Sequence, residues 1–150
     1  MMFDAVNNRQ TVAGLALATR NADANAVFDT QGGSGFWALV QLGVEGITLS
    51  AANRVDVIVE HSDVAGSGFS AVAADDVVLP AVRPAALTTP TSAGVVAVLD
   101  DNAELPDNLV IGYVGSRRYV RVTLDFVGAH ATGTPTAITG FRERLHFAPA

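Results

Sequence analysis

Three histidines are the first residues to consider for chemistry, because an imidazole can bind a metal ion or move a proton near neutral pH. They are His61, His130 and His146. None has a second histidine or a carboxylate at the spacing that places metal ligands on one strand face. His61 and Asp63 could form a ligand pair, but we favour a hydrogen-bonded histidine at a strand end. The sequence therefore predicts no zinc site.

Two acidic stretches could supply oxygen ligands to calcium: Asp75-Asp76 and Asp100-Asp101-Asn102. Both lack the glycine-punctuated loop with a terminal glutamate that makes a calcium motif specific. Aspartate and asparagine also cap turns through their own side-chain oxygens. Turn capping is the interpretation we prefer for both stretches.

Motifs for catalysis are equally weak. Gly66-Ser67-Gly68 has no strand-to-helix context for a nucleophile, and the glycine-rich stretch 32–35 lacks the lysine and helix of a phosphate-binding loop. A carboxylate pair for glycoside hydrolysis cannot be selected from the scattered acids. We expect no catalytic residue, no cofactor and no enzymatic activity.

The strongest polar cluster is an arginine-tyrosine run between two strand-like segments. It consists of Arg117, Arg118, Tyr119 and Arg121, and it is joined by Arg142 and Arg144 if the last strand pairs alongside. Arginine and tyrosine are enriched at protein interfaces, where they supply contact area and charge-assisted hydrogen bonds. These six residues are therefore interface candidates. The alternative is that Arg121 pairs within the sheet with an acid such as Asp56 or Glu60.

Composition narrows the possible partners. Charged residues make up 16% of the 150 residues and hydrophobic residues 49%, and the net charge is −6 with no cysteine. A negative chain is poorly suited to nucleic acid, which requires clustered basic residues. No run approaches the ~20 apolar residues needed to span a bilayer. So small a charged fraction predicts a surface that is partly covered by other subunits.

Period-two alternation of apolar residues predicts an all-β fold. In the segment 119–126, Val120, Val122, Leu124 and Phe126 fall on one face, and in 54–61 Val55, Val57 and Val59 do the same. Eight to ten short strands follow one another without a convincing helix. We predict an antiparallel β-sandwich of jelly-roll type.

The organisation along the chain follows from the turn signals. Residues 1–33 are predicted to form an N-terminal arm with strands near Val12–Ala18 and Ala26–Asp29, and residues 34–150 one sandwich domain. Segment 36–44 is apolar on both faces, which predicts a central strand covered from both sides, with Trp37 in the core. Segments 109–113 and 119–126 are predicted to form a hairpin. Prolines in 75–93 predict edge strands and a long loop.

Two segments carry a resemblance at the level of the fold. Val55-Asp56-Val57-Ile58-Val59-Glu60-His61-Ser62-Asp63 and Arg118-Tyr119-Val120-Arg121-Val122 resemble strands of discoidin-type, galactose-binding-like jelly rolls. Such domains hold ligands on loops at one end. The resemblance implies a jelly roll, and it leaves a carbohydrate-binding module for host attachment open as an alternative function.

A second resemblance covers Phe36 to Phe126, with the signature GYVGSRRYVRVTLDFVG. This region is similar to small proteins encoded among the head and structural genes of tailed bacteriophages and prophages. The resemblance implies a non-enzymatic virion component, most plausibly a head decoration, cement or spike-base protein assembled in the bacterial cytoplasm. Its partners would be the major capsid protein or other virion proteins and copies of itself. A tail or head-tail joining component is the alternative within the same class.

Overall fold

Two antiparallel sheets make up the fold of residues 9–81 and 86–144, the parts of the chain that the computed structural model describes. The strands are β1 (Arg9–Arg20), β2 (Ala24–Asp29), β3 (Gly33–Leu42), β4 (Arg54–Ser62), β5 (Ser70–Ala71), β6 (Val77–Val78), β7 (Val95–Leu99), β8 (Asp107–Tyr113), β9 (Tyr119–Val127) and β10 (Thr134–Arg144). Within these residues the helical content is limited to single 3-10 turns at Ala74–Asp76 and Asn102–Glu104. The predicted all-β sandwich of eight to ten strands is confirmed.

The alternation read from the sequence matches the burial of the strands. In β9, Val120, Val122 and Leu124 are at most 1% exposed, while the residues between them face outward. In β4, Val55, Val57 and Val59 are buried in the same way. Strand side chains point alternately to opposite sides of the sheet, so each of these strands gives one face to the core.

The order of the strands differs between the two sheets. Sheet A runs β1-β10-β3-β8-β6, and sheet B runs β2-β9-β4-β5, with β7 also paired to β4. Apart from β4 and β7, each long strand lies in the opposite sheet to the long strand before it. This alternation is consistent with the interleaved Greek keys of a jelly roll, and the jelly-roll topology itself stays a prediction.

The predicted hairpin of 109–113 and 119–126 is wrong. Strand β8 pairs with β3 and β6 in sheet A, whereas β9 pairs with β2 and β4 in sheet B. Loop 114–118 therefore crosses from one sheet to the other. Two consecutive amphipathic strands can pair edge to edge or face each other across a core. The alternation of apolar residues is the same in both arrangements, so it does not distinguish them.

The N-terminal segment contributes a strand to each sheet. Strand β1 pairs with β10 along one edge of sheet A, and β2 pairs with β9 in sheet B. The two strands expected near Val12–Ala18 and Ala26–Asp29 are both present. The described part of the segment 1–33, which the sequence assigns to an arm, is thus built into the sandwich.

Phe28 of β2 and Gly140 of β10 show how closely the two sheets approach. Phe28 is fully buried, and its ring lies 5.1 Å from that of Phe36 in the other sheet. A Cβ atom on Gly140 would come within 2.5 Å of the Phe28 ring. Only glycine leaves room there for an aromatic ring that reaches across the core.

Val122→Asp tests the inward face of β9. Val122 is 1% exposed, so an aspartate there would bury an unpaired charge and lower the free energy of unfolding by ~3 to 5 kcal/mol. Val27→Asp is the control, because Val27 of β2 is 39% exposed and faces outward. Urea unfolding followed by circular dichroism measures both, and a stable Val122→Asp variant would show that the assigned inward face is wrong.

Candidate functional site

Three of the interface candidates, Arg117, Arg118 and Arg142, lie at one end of the sandwich, which we call the arginine end. Arg117 and Arg118 stand in the crossing loop 114–118, and Arg142 lies near the end of β10. Strand β10 pairs with β1 and β3, so it does not run alongside β9 as the sequence suggested it could. Arg142 reaches the same end of the molecule from sheet A. The side chain of Arg144 lies outside the described residues.

Arg118 forms a bidentate ion pair with Asp29. Its Nε and Nη2 atoms donate to the two carboxylate oxygens of Asp29 at 3.1 and 2.8 Å. Its guanidinium group also lies 5.0 Å from the ring centre of Tyr119. The hydrogen bond from Arg118 lowers the pKa of Asp29, and the same bond raises the pKa of Arg118. This pair holds the crossing loop against the end of β2.

Arg117 connects the crossing loop to the loop that follows β4. Its guanidinium group forms an ion pair with Asp63, and its backbone N–H donates to the hydroxyl of Tyr113 at 3.1 Å. That hydroxyl lies 3.0 Å from Nδ1 of His61. Burial raises the pKa of Tyr113. His61 is therefore a hydrogen-bonded strand-end histidine, and Asp63 is engaged by Arg117.

Arg142 connects β10 to β1 and to the turn between β2 and β3 at the same end. It donates to the side-chain oxygen of Gln10 in β1 at 2.6 Å and to the backbone oxygen of Gln31, which lies between β2 and β3. The guanidinium group thus satisfies a carbonyl group in the turn that separates the sheets.

Arg121 lies on the outer face of sheet B, and the internal pairing considered from the sequence is present. Its Nη2 atom is 2.6 Å from Oε2 of Glu60, the residue opposite it in β4. The guanidinium group also lies 4.3 Å from the ring centre of Phe69. Arg121 therefore stabilises the pairing of β4 with β9, away from the crossing loop.

The outer faces of the two sheets differ in charge. Sheet B carries the pairs Arg121–Glu60 and Arg54–Asp56 and the carboxylate of Asp125. Sheet A instead presents what we call the apolar face, which is formed by Trp37, Leu39, Val78, Val110, Thr139 and Phe141. The expectation that Trp37 belongs to the core is wrong. Trp37 points outward and stacks on Phe141 at a centroid distance of 4.0 Å.

A buried acid-imidazole pair lies at the other end of the sandwich. The side chains of Glu45 and His130 are fully buried, with Oε1 of Glu45 3.6 Å from Nδ1 of His130. Thr134 donates its hydroxyl proton to the other carboxylate oxygen of Glu45. Nε2 of His130 lies 3.0 Å from the carbonyl oxygen of Val127, which can only accept, so that nitrogen carries a proton.

Neither Oε1 of Glu45 nor Nδ1 of His130 has a hydrogen-bond partner among the described residues. The 3.6 Å between these two atoms is longer than a hydrogen bond, so the two side chains lie in contact without one. Because neither side chain reaches the surface, the pair cannot contact a substrate in this conformation. It can stabilise the loops that contain Glu45 and His130. No motif in the sequence indicates this pair, because its members are separated by six strands.

One of the two acidic stretches caps a turn, as the sequence favoured, and the other does not. No side chain caps the 3-10 turn that contains Asp75 and Asp76, and Oδ2 of Asp76 instead lies 3.8 Å from Nδ1 of His61. Asp101 accepts a hydrogen bond from the N–H of Ala103 at 2.9 Å, and the carboxylate of Glu104 accepts one from the N–H of Asp101 at 3.3 Å. Asn102 bonds to backbone groups of Ile47 and Leu49. Among residues 9–81 and 86–144, no group of three or more histidine, aspartate or glutamate side chains is arranged to hold a metal ion.

Comparison with known proteins leaves the family open. No protein-family model, curated protein or solved structure matches the chain. Within the described residues, no helix is long and apolar enough to cross a membrane.

The carboxylates of Asp29 and Asp125 are expected to affect stability in opposite directions. Burial, together with the negative charges of Asp23 and Asp56, raises the pKa of Asp125. Its contribution to stability is therefore present below the ordinary aspartate pKa of about 3.9 and is lost as pH rises through the raised value. The contribution of Asp29, whose pKa is lowered, is present above that ordinary value and is lost as pH falls through the lowered one.

We therefore predict that Asp125→Asn raises the unfolding midpoint at pH ~7, while Asp29→Asn lowers stability by about 0.2 to 1 kcal/mol, as is usual for an exposed ion pair. Both differences should shrink when urea unfolding is repeated at pH ~3. Changes of the same sign in the two variants at neutral pH would contradict the assigned environments.

Single replacements in the Glu45–His130 pair should be costly. Glu45→Leu or His130→Leu leaves the other member buried without its partner, and we expect a loss of ~3 to 5 kcal/mol from each. The double variant should lose clearly less than the sum, because the second replacement removes the unpaired group. Urea unfolding of all four proteins measures the coupling, and additive losses would show that the two side chains do not interact.

Proposed function

We propose that this chain is a non-enzymatic structural subunit of a phage-like virion, a decoration, cement or spike-base protein that docks on the capsid shell through its arginine end. The proposal joins the resemblance of the segment 36–126 to small phage structural proteins with the geometry of this end. Its partner is the major capsid protein or a neighbouring virion protein.

The main support for this docking surface is that Arg117 and Arg118 are ion-paired and still half-exposed. Each is paired with an acid, yet 49% of the Arg117 side chain and 45% of the Arg118 side chain stay exposed. Their remaining N–H groups are free to donate to carbonyl or carboxylate oxygens of a partner. Arginine presents its donors in a rigid, planar arrangement that suits such contacts.

The side chains of Arg117 and Arg118 are already ordered before a partner binds. A flexible arginine loses rotamer freedom when it is fixed in an interface, at a cost of about 0.5 to 1.5 kcal/mol. Arg118 is already held by Asp29 and by the ring of Tyr119, and Arg117 is held by Asp63. Much of this rotamer freedom is therefore already lost in the free protein, so binding reduces it less.

The local charge balance favours a protein partner. Asp29 and Asp63 balance Arg118 and Arg117, while Arg142 donates to neutral oxygens of Gln10 and Gln31, so this end presents directed donors with most of its positive charge compensated. A surface of this kind can dock on backbone carbonyl groups and polar side chains of a shell, whereas binding to phosphates depends on uncompensated positive charge.

The alternative of carbohydrate binding finds less support at this end. An aromatic ring that stacks on a sugar must have a free, exposed face, but Phe36 and Tyr113 beside the crossing loop are 5% and 4% exposed. Tyr119 is partly exposed, but the guanidinium group of Arg118 lies 5.0 Å from its ring centre. The cleft that they help to line has a volume of about 160 Å³. The half-exposed arginines therefore favour a protein partner over a glycan.

Particles assembled without this protein test the proposal. We expect electron microscopy to show density missing from the head surface, with the shell otherwise intact. An unchanged head with density lost at the tail or at the head-tail joint would place the protein there instead. Particles unchanged at every position would overturn the structural role.

Arg117→Ala and Arg118→Ala test the arginine end itself. If these side chains are interface anchors, each replacement should weaken binding to the shell by ~1 to 3 kcal/mol, more than it lowers monomer stability. Arg54→Ala is the matched control, because Arg54 is also partly exposed and ion-paired but lies at the opposite end of β4. Binding to purified particles lacking the protein measures the effect, and equal losses in all three variants would refute this surface.

A further inference from the structure

The apolar face of sheet A lacks the cover that its sequence predicts. Strand β3 reads as apolar on both sides, and its inward residues Phe36, Ala38 and Val40 are at most 5% exposed. Its outward residues Trp37 and Leu39 have no second layer above them within the described residues and stay partly exposed. A strand that is apolar on both faces is normally buried on both.

The neighbouring strands extend this face without adding charge. Val110 lies opposite Leu39 and is 37% exposed, and Val78 at the edge of the sheet is 52% exposed. Arg9 of β1 and Glu143 of β10 lie directly opposite each other beside this face, and the guanidinium group of Arg9 lies 5.5 Å from the ring centre of Trp37. These two charges are of opposite sign.

The outer side of sheet A, with the apolar face at its centre, is large enough for a stable interface. Strands lie about 4.8 Å apart and rise about 3.3 Å per residue. Strands β1, β10, β3 and β8 have 12, 11, 10 and 7 residues, so together they cover on the order of 600 to 700 Å². A standard protein-protein interface buries about 600 to 1,000 Å² on each partner.

We propose that the apolar face of sheet A packs face to face against the apolar face of a second copy of this chain. A chain with a net charge of −6 repels its own copies most weakly where charge is lowest, and that is this face. Two copies joined in this way form an isologous interface, in which the same residues serve both sides. Sheets pack at about 10 Å in this manner inside a sandwich.

This inference does not depend on the phage assignment. It uses the outer face of sheet A, whereas docking to a shell uses the arginine end, so both surfaces can be occupied at once. A failure of self-association would leave the proposed docking untouched, and the reverse also holds.

Sedimentation velocity over a dilution series tests the inference on the wild-type protein. We expect a dimer that dissociates on dilution. Trp37 is the only tryptophan, so its fluorescence should shift to longer wavelength over the same concentration range as water reaches the face. A protein that stays monomeric up to ~100 µM would overturn the proposal and leave the face to a different partner.

Val110→Glu and Val27→Glu form a matched pair of variants. The two valines are 37% and 39% exposed, and both lie on outer strand faces, Val110 in sheet A and Val27 in sheet B. Val110→Glu should raise the dissociation constant of the dimer about 100-fold, because the two-fold axis brings the glutamates of both copies into one interface. Val27→Glu should leave the dissociation constant unchanged.

Leu39→Glu provides a second position on the apolar face, and circular dichroism checks the fold of each variant. If Val110→Glu is poorly folded, Val110→Lys at the same exposed site replaces it. A dimer that survives in folded variants at both Val110 and Leu39 would overturn the inference. A dimer lost equally in Val27→Glu would overturn it as well, because it would place the interface elsewhere.

Discussion

The surfaces of this protein all depend on one constraint, the alternation of side chains along a strand. A strand that buries one face must present the other, so two sheets that share a core leave two outer faces. The inner faces are filled by valine, leucine and phenylalanine from both sheets, including Val122, Leu124 and Phe28. Once these residues are buried, the residues between them are committed to the outside. Whether an outer face is charged or apolar then depends on the outward-facing residues, which are every second residue of each strand.

The molecule has three surfaces that differ in chemistry: the outer face of sheet A, the outer face of sheet B and the arginine end. Sheet B pairs Arg121 with Glu60 across two neighbouring strands and Arg54 with Asp56 along β4, so most of its charged groups already have partners within the sheet. Sheet A leaves an apolar surface centred on Trp37 and Phe141, where burial against another protein removes hydrocarbon from water. The arginine end offers directed hydrogen-bond donors. A subunit that contacts both its own copies and a shell requires two separate surfaces of this kind.

The charged side chains have different physical roles at the two ends. At the arginine end the ion pairs are half-exposed, where such pairs contribute little to stability, so their ordering of the crossing loop is the larger effect. At the other end, Glu45 and His130 are removed from water completely. A buried pair stabilises little relative to an apolar one, but it is strongly destabilising when one partner is missing. That end therefore depends on the correct pairing of two distant loops.

The sequence by itself determined which faces of β4 and β9 turn inward, because alternation is a local property, and the burial of these strands confirms it. It also predicted the capping by Asp101 and allowed the pairing of Arg121 with Glu60. Tertiary structure alone decided that β8 and β9 lie in different sheets and that Trp37 faces outward. It likewise brought Glu45 to His130 and Arg118 to Asp29. These outcomes depend on which strands become neighbours, and residues far apart in the chain meet only after the two sheets have packed.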